Sequence, residues 1–142
     1  MIPIRVKFKG LQVISALTII VTIVGLFVHF TGTAEAEWLD GWHYRRKLTF
    51  TGMGTITETL NDFPVLVTLN SSRVNYSNTQ DSGQDIRFTD ANGQLLDYEI
   101  ESWNEAGTSY VWVRVPSITA ASTGEYIYVY YGNPGVSDGQ NA

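Results

Sequence analysis

The chain has 142 residues, no cysteine and a formal charge of −5, with four Trp, eight Tyr, six Phe and 13 Gly. Without cysteine there is no disulfide framework, no thiolate nucleophile and no cysteine-held metal, and without clustered Lys and Arg there is no nucleic-acid groove. The length suits one domain plus a leader, and the aromatic, glycine-rich mixture favours short strands and tight turns over helices.

Residues 1–36 read as the leader. Arg5, Lys7 and Lys9 form a basic start, Leu11 to Phe30 is nearly all apolar, and Ala34-Glu35-Ala36 supplies an A-x-A site. That layout is a secretory signal peptide, cut after Ala36. The apolar run of about 20 residues also has the length of a membrane-spanning helix, so an uncleaved anchor is the alternative. Lys9-Gly10 before Leu11 resembles a third possibility, the processing site of archaeal type IV pilin-like precursors. With a basic flank held in the cytoplasm, the remainder faces outward, giving a secreted or cell-surface location. Beyond Ala36, 6 basic and 13 acidic residues remain, a difference of −7.

From residue 37 the hydrophobic period becomes two. Trp42 to Phe50 alternates, with Arg46 falling on the apolar side. Phe63 to Leu69 follows, and Pro64 near its start marks an edge or opening position. Asp85 to Thr89 is short. Leu95 to Trp103 sets Leu96, Tyr98 and Ile100 against Asp97, Glu99 and Glu101. Ser109 to Val115 turns Val111, Val113 and Val115 inward, with Tyr110, Trp112 and Arg114 outward. Glu125 to Tyr131 does the same with Ile127, Val129 and Tyr131 against Tyr126, Tyr128 and Tyr130. Asp90-Ala91-Asn92-Gly93 and Asn104-Glu105-Ala106-Gly107 read as tight turns, the second closing a hairpin. Ser71 to Gln84 is a longer polar loop. The expected fold is all-β, an antiparallel β-sandwich (jelly-roll or Ig-like) over residues 37–142, preceded by an N-terminal hydrophobic helix.

Six blocks in order carry a family resemblance. They are Trp42 to Thr49, Asn61 to Val67, Gly83 to Asp90, Leu96 to Trp103 (LDYEIESW), Val111 to Pro116 and Tyr130 to Pro134. Together they resemble the domain of unknown function 2341 family, over nearly all of Trp38 to Gln140. The resemblance implies a secreted or surface β-domain of bacteria and archaea. Such domains often precede a laminin G or concanavalin A-type lectin domain, and some accompany energy-transducing proton-channel components. It implies no activity.

The residues that could do chemistry are few. Tyr110, Trp112, Tyr126, Tyr128 and Tyr130 would share one sheet face if the last two long strands are neighbours, with Trp103 nearby. Such an aromatic platform stacks against sugar rings while Glu99, Glu101 and Asp97 accept hydroxyl hydrogen bonds; a buried face, or a contact with another domain, is the competing account. The ligand-binding candidates are therefore Trp103, Tyr110, Trp112, Tyr128, Glu99 and Glu101. Arg46 on an apolar face needs a carboxylate, and Asp85, Asp97 or Glu99 could supply a structural ion pair. Acids on one strand face invite a glycosidase reading, but no second motif supports it. Asp90-x-Asn92-Gly93 departs from a calcium loop, one His does not make a zinc site, and neither G-x-S-x-G nor a phosphate-cradling glycine loop is present. No catalytic residue, metal or cofactor is expected. Asn70-Ser71-Ser72 and Asn75-Tyr76-Ser77 are N-glycosylation sequons in the long loop. The expected role is a non-catalytic binding or adhesion module for a glycan or cell-surface polymer. A structural spacer or pilin-like subunit, assembling through the helix and the aromatic face, is the alternative. Expected partners are thus a glycan, a downstream lectin-like domain or further copies, and the membrane if the leader is kept.

Overall fold

A computed structural model describes residues 37–141. The expected hydrophobic helix and its processing sites lie outside the described residues. Among the described residues, no helix is long and apolar enough to cross a membrane.

Seven strands follow in order: β1 (Tyr44–Thr49), β2 (Leu60–Leu69), β3 (Arg87–Thr89), β4 (Leu95–Leu96), β5 (Tyr98–Ser102), β6 (Ser109–Ile118) and β7 (Tyr126–Tyr131). Two 3-10 turns, Met53–Thr55 and Tyr76–Asn78, lie in the connections. The strands form two antiparallel sheets, ordered β1-β7-β3-β4 and β2-β6-β5. The fold is all-β and sandwich-like. Both sheets contribute to one core: Phe88, Leu96, Ile127 and Val129 from the first meet Val67, Leu69, Val111 and Val113 from the second. Alternation does the sorting, because successive side chains of a strand point to opposite faces. In β6, Val111, Val113 and Val115 are buried while Tyr110, Trp112 and Arg114 are exposed. Burying such apolar side chains is worth about 1.5–3 kcal/mol each.

The run Leu95 to Trp103 is not one strand. β4 pairs with β3 in the first sheet and β5 pairs with β6 in the second. The chain changes sheets at Asp97, whose carbonyl accepts from the Arg114 amide at 2.9 Å. Leu96 and Tyr98 both remain buried, so the crossing preserves the inward-outward pattern. β6 and β7 also belong to different sheets. The condition for a single aromatic face built from both is therefore not met.

Asp85, 1% exposed, ties the loops at one end of the molecule. Its Oδ1 accepts from the Gln80 amide at 2.8 Å, and its Oδ2 accepts from the amides of Gly132 and Asn133 at 2.8 and 3.1 Å. The Trp42 indole donates to its carbonyl at 2.7 Å. Gly132 has a φ of 86°, and a Cβ there would fall 2.5 Å from the Tyr44 ring. Glycine thus allows both the left-handed turn after β7 and the close pass beneath Tyr44.

Tyr98 connects the sheets chemically. Its hydroxyl donates to the Ile86 carbonyl at 2.8 Å and accepts from Arg87 Nη1 at 3.0 Å. Burial raises the phenol above its ordinary 10.0; the neighbouring Arg87 pulls it down and Asp138 pushes it up. With the folded value above the unfolded one, this group favours folding fully below the unfolded value near pH 10. That contribution is lost as pH rises from there through the folded value. Urea midpoints between pH 8 and 11 should therefore fall more steeply for the wild type than for Tyr98→Phe. Identical pH dependence in the two would refute the assignment.

Candidate functional site

The three-stranded sheet turns one face into the core and the other to solvent. On the solvent face the register places Leu66 beside Trp112 and Trp112 beside Glu99, while Thr68 lies beside Tyr110 and Pro64 beside Arg114. Neighbouring strands lie about 4.8 Å apart and alternate residues about 6.6–7 Å. Leu66, Tyr110 and Trp112 are 43%, 40% and 37% exposed, and they make a contiguous apolar strip.

Polar groups frame that strip. The Trp112 indole donates to Glu101 Oε2 at 3.1 Å, fixing the ring against the strand. A register shift between Ile100 and Ser102 brings Glu101 into β5 as an extra residue opposite β6, and such a bulge re-aims a side chain. Arg114 forms ion pairs with Asp62 at 3.2 Å and with Asp97 at 3.6 Å. Both partners are exposed, so these pairs fix geometry more than they add stability. Asn141 also donates to Asp97 Oδ1. A shallow groove of about 220 Å³ runs over Pro64, Trp112 and Arg114 to Asp97, Glu99 and Asn141.

The structure thus brings together four of the six expected ligand-binding residues: Tyr110, Trp112, Glu99 and Glu101. Trp103 stands apart. It packs edge-on against Tyr76 at 5.2 Å, donates to Glu105 and closes over Gly83, where a Cβ would come within 2.7 Å of the indole. It belongs to the margin of the core. Tyr128 lies in the other sheet and is 6% exposed. With Tyr126, Tyr130 and Trp38 it builds a second aromatic cluster, in which the Arg45 guanidinium lies 4.2 Å from the Tyr128 ring centre and the Lys47 ammonium 3.5 Å from that of Tyr126.

The expected ion pair of Arg46 with Asp85 or Asp97 does not form among the described residues. Arg46 shares the inward face with its partner Val129, but β1 is an edge strand and the side chain is exposed at the open margin. A guanidinium that reaches water needs no buried carboxylate. Asp85 spends its oxygens on backbone amides, and Asp97 pairs with Arg114. Leu66 was missed in the sequence reading. Its signal was an apolar residue in the same register as Pro64 and Thr68, on the side that alternation assigns to solvent.

Residues 82–142 match the model of a family described as domain of unknown function (DUF2341). This part of the chain is therefore similar to DUF2341. No curated protein and no solved structure matches the chain. The DUF2341 match includes β3 to β7. The two upstream blocks of resemblance precede it, yet β1 and β2 each complete a sheet by pairing with β7 and β6. The folded unit is thus larger than the DUF2341 match.

Proposed function

We propose that this domain is a non-catalytic, extracytoplasmic binding module that recognises carbohydrate on the outer face of its β2-β6-β5 sheet. The observation that carries the reading is the exposed Trp112 indole, fixed by Glu101 and bordered by Glu99 and Asp97. A flat ring of this kind accepts the C–H face of a sugar, and convergent carboxylates at its border accept hydroxyl protons and set orientation. The leader-like first 36 residues support placement outside the cell. The strand order supports a reduced jelly roll: β1-β7 and β2-β6 are sequence-distant pairs lying in alternate sheets, as in double Greek-key folds.

The test is a glycan array probed with the full chain, followed by titration of any hit. Trp112→Ala should weaken binding at least about tenfold, a loss of about 1.4 kcal/mol, with an unchanged thermal midpoint because the ring lies outside the core. A folded chain that binds no glycan, or a Trp112→Ala variant that binds as well as wild type, would remove the proposal.

A further inference from the structure

The margins of the two sheets are not equally protected. β4 is two residues long. The edge of β5 is covered by the C-terminal segment: the Asn141 amide donates to the Tyr98 carbonyl at 3.2 Å, and Gln140 Oε1 accepts from the Ile100 amide at 2.5 Å. β1 carries Arg45, Arg46 and Lys47 in succession. β2, at ten residues the longest edge strand, has no charge from Phe63 to Leu69.

The direction of its backbone groups follows from two observations. The Thr68 carbonyl accepts from the Arg73 side chain at 2.5 Å, so it points away from β6. In an antiparallel strand the N–H and C=O of one residue point to the same side, and alternate residues share that side. Pro64, Leu66 and Thr68 therefore face the free edge. Pro64, which has no N–H, costs the ladder nothing there, and Leu66 presents both groups without a partner among the described residues. Beside this edge a cleft of about 420 Å³ opens between β1 and β2, with Leu48, Phe50, Met53, Val65 and Val67 among its lining. Arg46, Lys47 and Arg73 also line it, and among the described residues no Asp or Glu does. Two of the six cationic groups beyond Ala36, Arg46 and Arg73, thus border one cleft in an otherwise acidic domain, while the Lys47 ammonium lies over Tyr126.

We propose that this margin accepts an extended segment of another polypeptide, added as a strand along β2, with apolar side chains entering the cleft and acidic ones on alternate positions facing solvent, where the Arg73 guanidinium lies beside Thr68. Main-chain bonds supply the affinity in such strand addition, and alternate side-chain pockets supply the choice of partner. The charge on the rim selects an acidic segment over a basic one.

The probe is a synthetic peptide with the sequence of residues 95–103, in which apolar and acidic residues alternate. It is titrated into the full chain and followed by amide chemical shifts. Binding should perturb Leu66 and its β2 neighbours. The same peptide carrying Asp97→Lys, Glu99→Lys and Glu101→Lys should bind about tenfold more weakly. In the protein, Leu66→Pro removes only the free-edge donor and should abolish binding. Arg73→Glu, at an exposed side chain, should weaken binding with the fold intact even if Leu66→Pro fails to fold. No binding, equal affinity for both peptides, or unchanged binding by Arg73→Glu would overturn the proposal. So would self-association that Leu66→Pro abolishes, because that outcome assigns the edge to a second copy of the chain.

Discussion

Asp85→Ala should lower the unfolding free energy by about 3–5 kcal/mol, since it strands three backbone donors that a charged acceptor now serves. Those donors come from two separate parts of the chain, Gln80 in the long loop and Gly132 and Asn133 after β7. Charge-assisted bonds of this kind are stronger than neutral ones. Truncation also frees the loop whose carbonyl holds the Trp42 indole. The thermal midpoint should fall by roughly 15–25 °C, and Asp85→Asn, which keeps one acceptor oxygen, should fall by less. Urea unfolding of the full chain measures this directly. A loss under about 1 kcal/mol would show that water replaces the carboxylate and that the clamp is not structural.

Phe88→Ala should cost about 3–5 kcal/mol. Phe88 is fully buried, lies between Leu96 and Val129 across its own sheet, and packs at 5.5 Å against the Tyr98 ring of the other sheet. Three strands and the sheet-to-sheet contact therefore surround the space it fills. Such a site collapses poorly, and the cavity adds to the lost transfer energy. Phe88→Leu restores most of the volume and should cost about 1.5 kcal/mol or less. Equal losses for the two variants would contradict a cavity origin.

The inward and outward faces of β6 were legible from alternation alone, whereas Tyr128 and Tyr130 of β7, set outward by the same rule, are buried because β7 is a central strand. Val111, Val113 and Val115 against Tyr110, Trp112 and Arg114 needed no more than a period of two. Pro64 left an edge or an opening position open, because a proline without an N–H does not serve a central ladder, and β2 is an edge strand. Strand partnership was not legible. The sequence places β6 before β7 across a short link, and nearness in sequence does not separate a hairpin from a crossing between sheets. Tyr128 and Trp112 consequently parted. The crossing at Asp97 was hidden because Leu96 and Tyr98 stay in phase. Asp85 was read as an ion-pair partner because charge suggests charge, whereas its partners are amides that every sequence contains. Glu99, Glu101, Tyr110 and Trp112 stay together because their placement depends only on the β5-β6 hairpin, whose Asn104 to Gly107 turn was readable.

The pairing of β1 with β7 sets the order in which this domain forms during synthesis. The ribosome adds roughly 5–20 residues per second, so the earliest strand waits several seconds for the last one to emerge. Until then the four-stranded sheet has no centre, because among the described residues β7 is the only strand that joins β1 to β3. The hairpins β3-β4 and β5-β6 have their partners at once and provide the first local structure. Acquisition of the native state is then a late, concerted event dominated by distant contacts, and its rate falls accordingly.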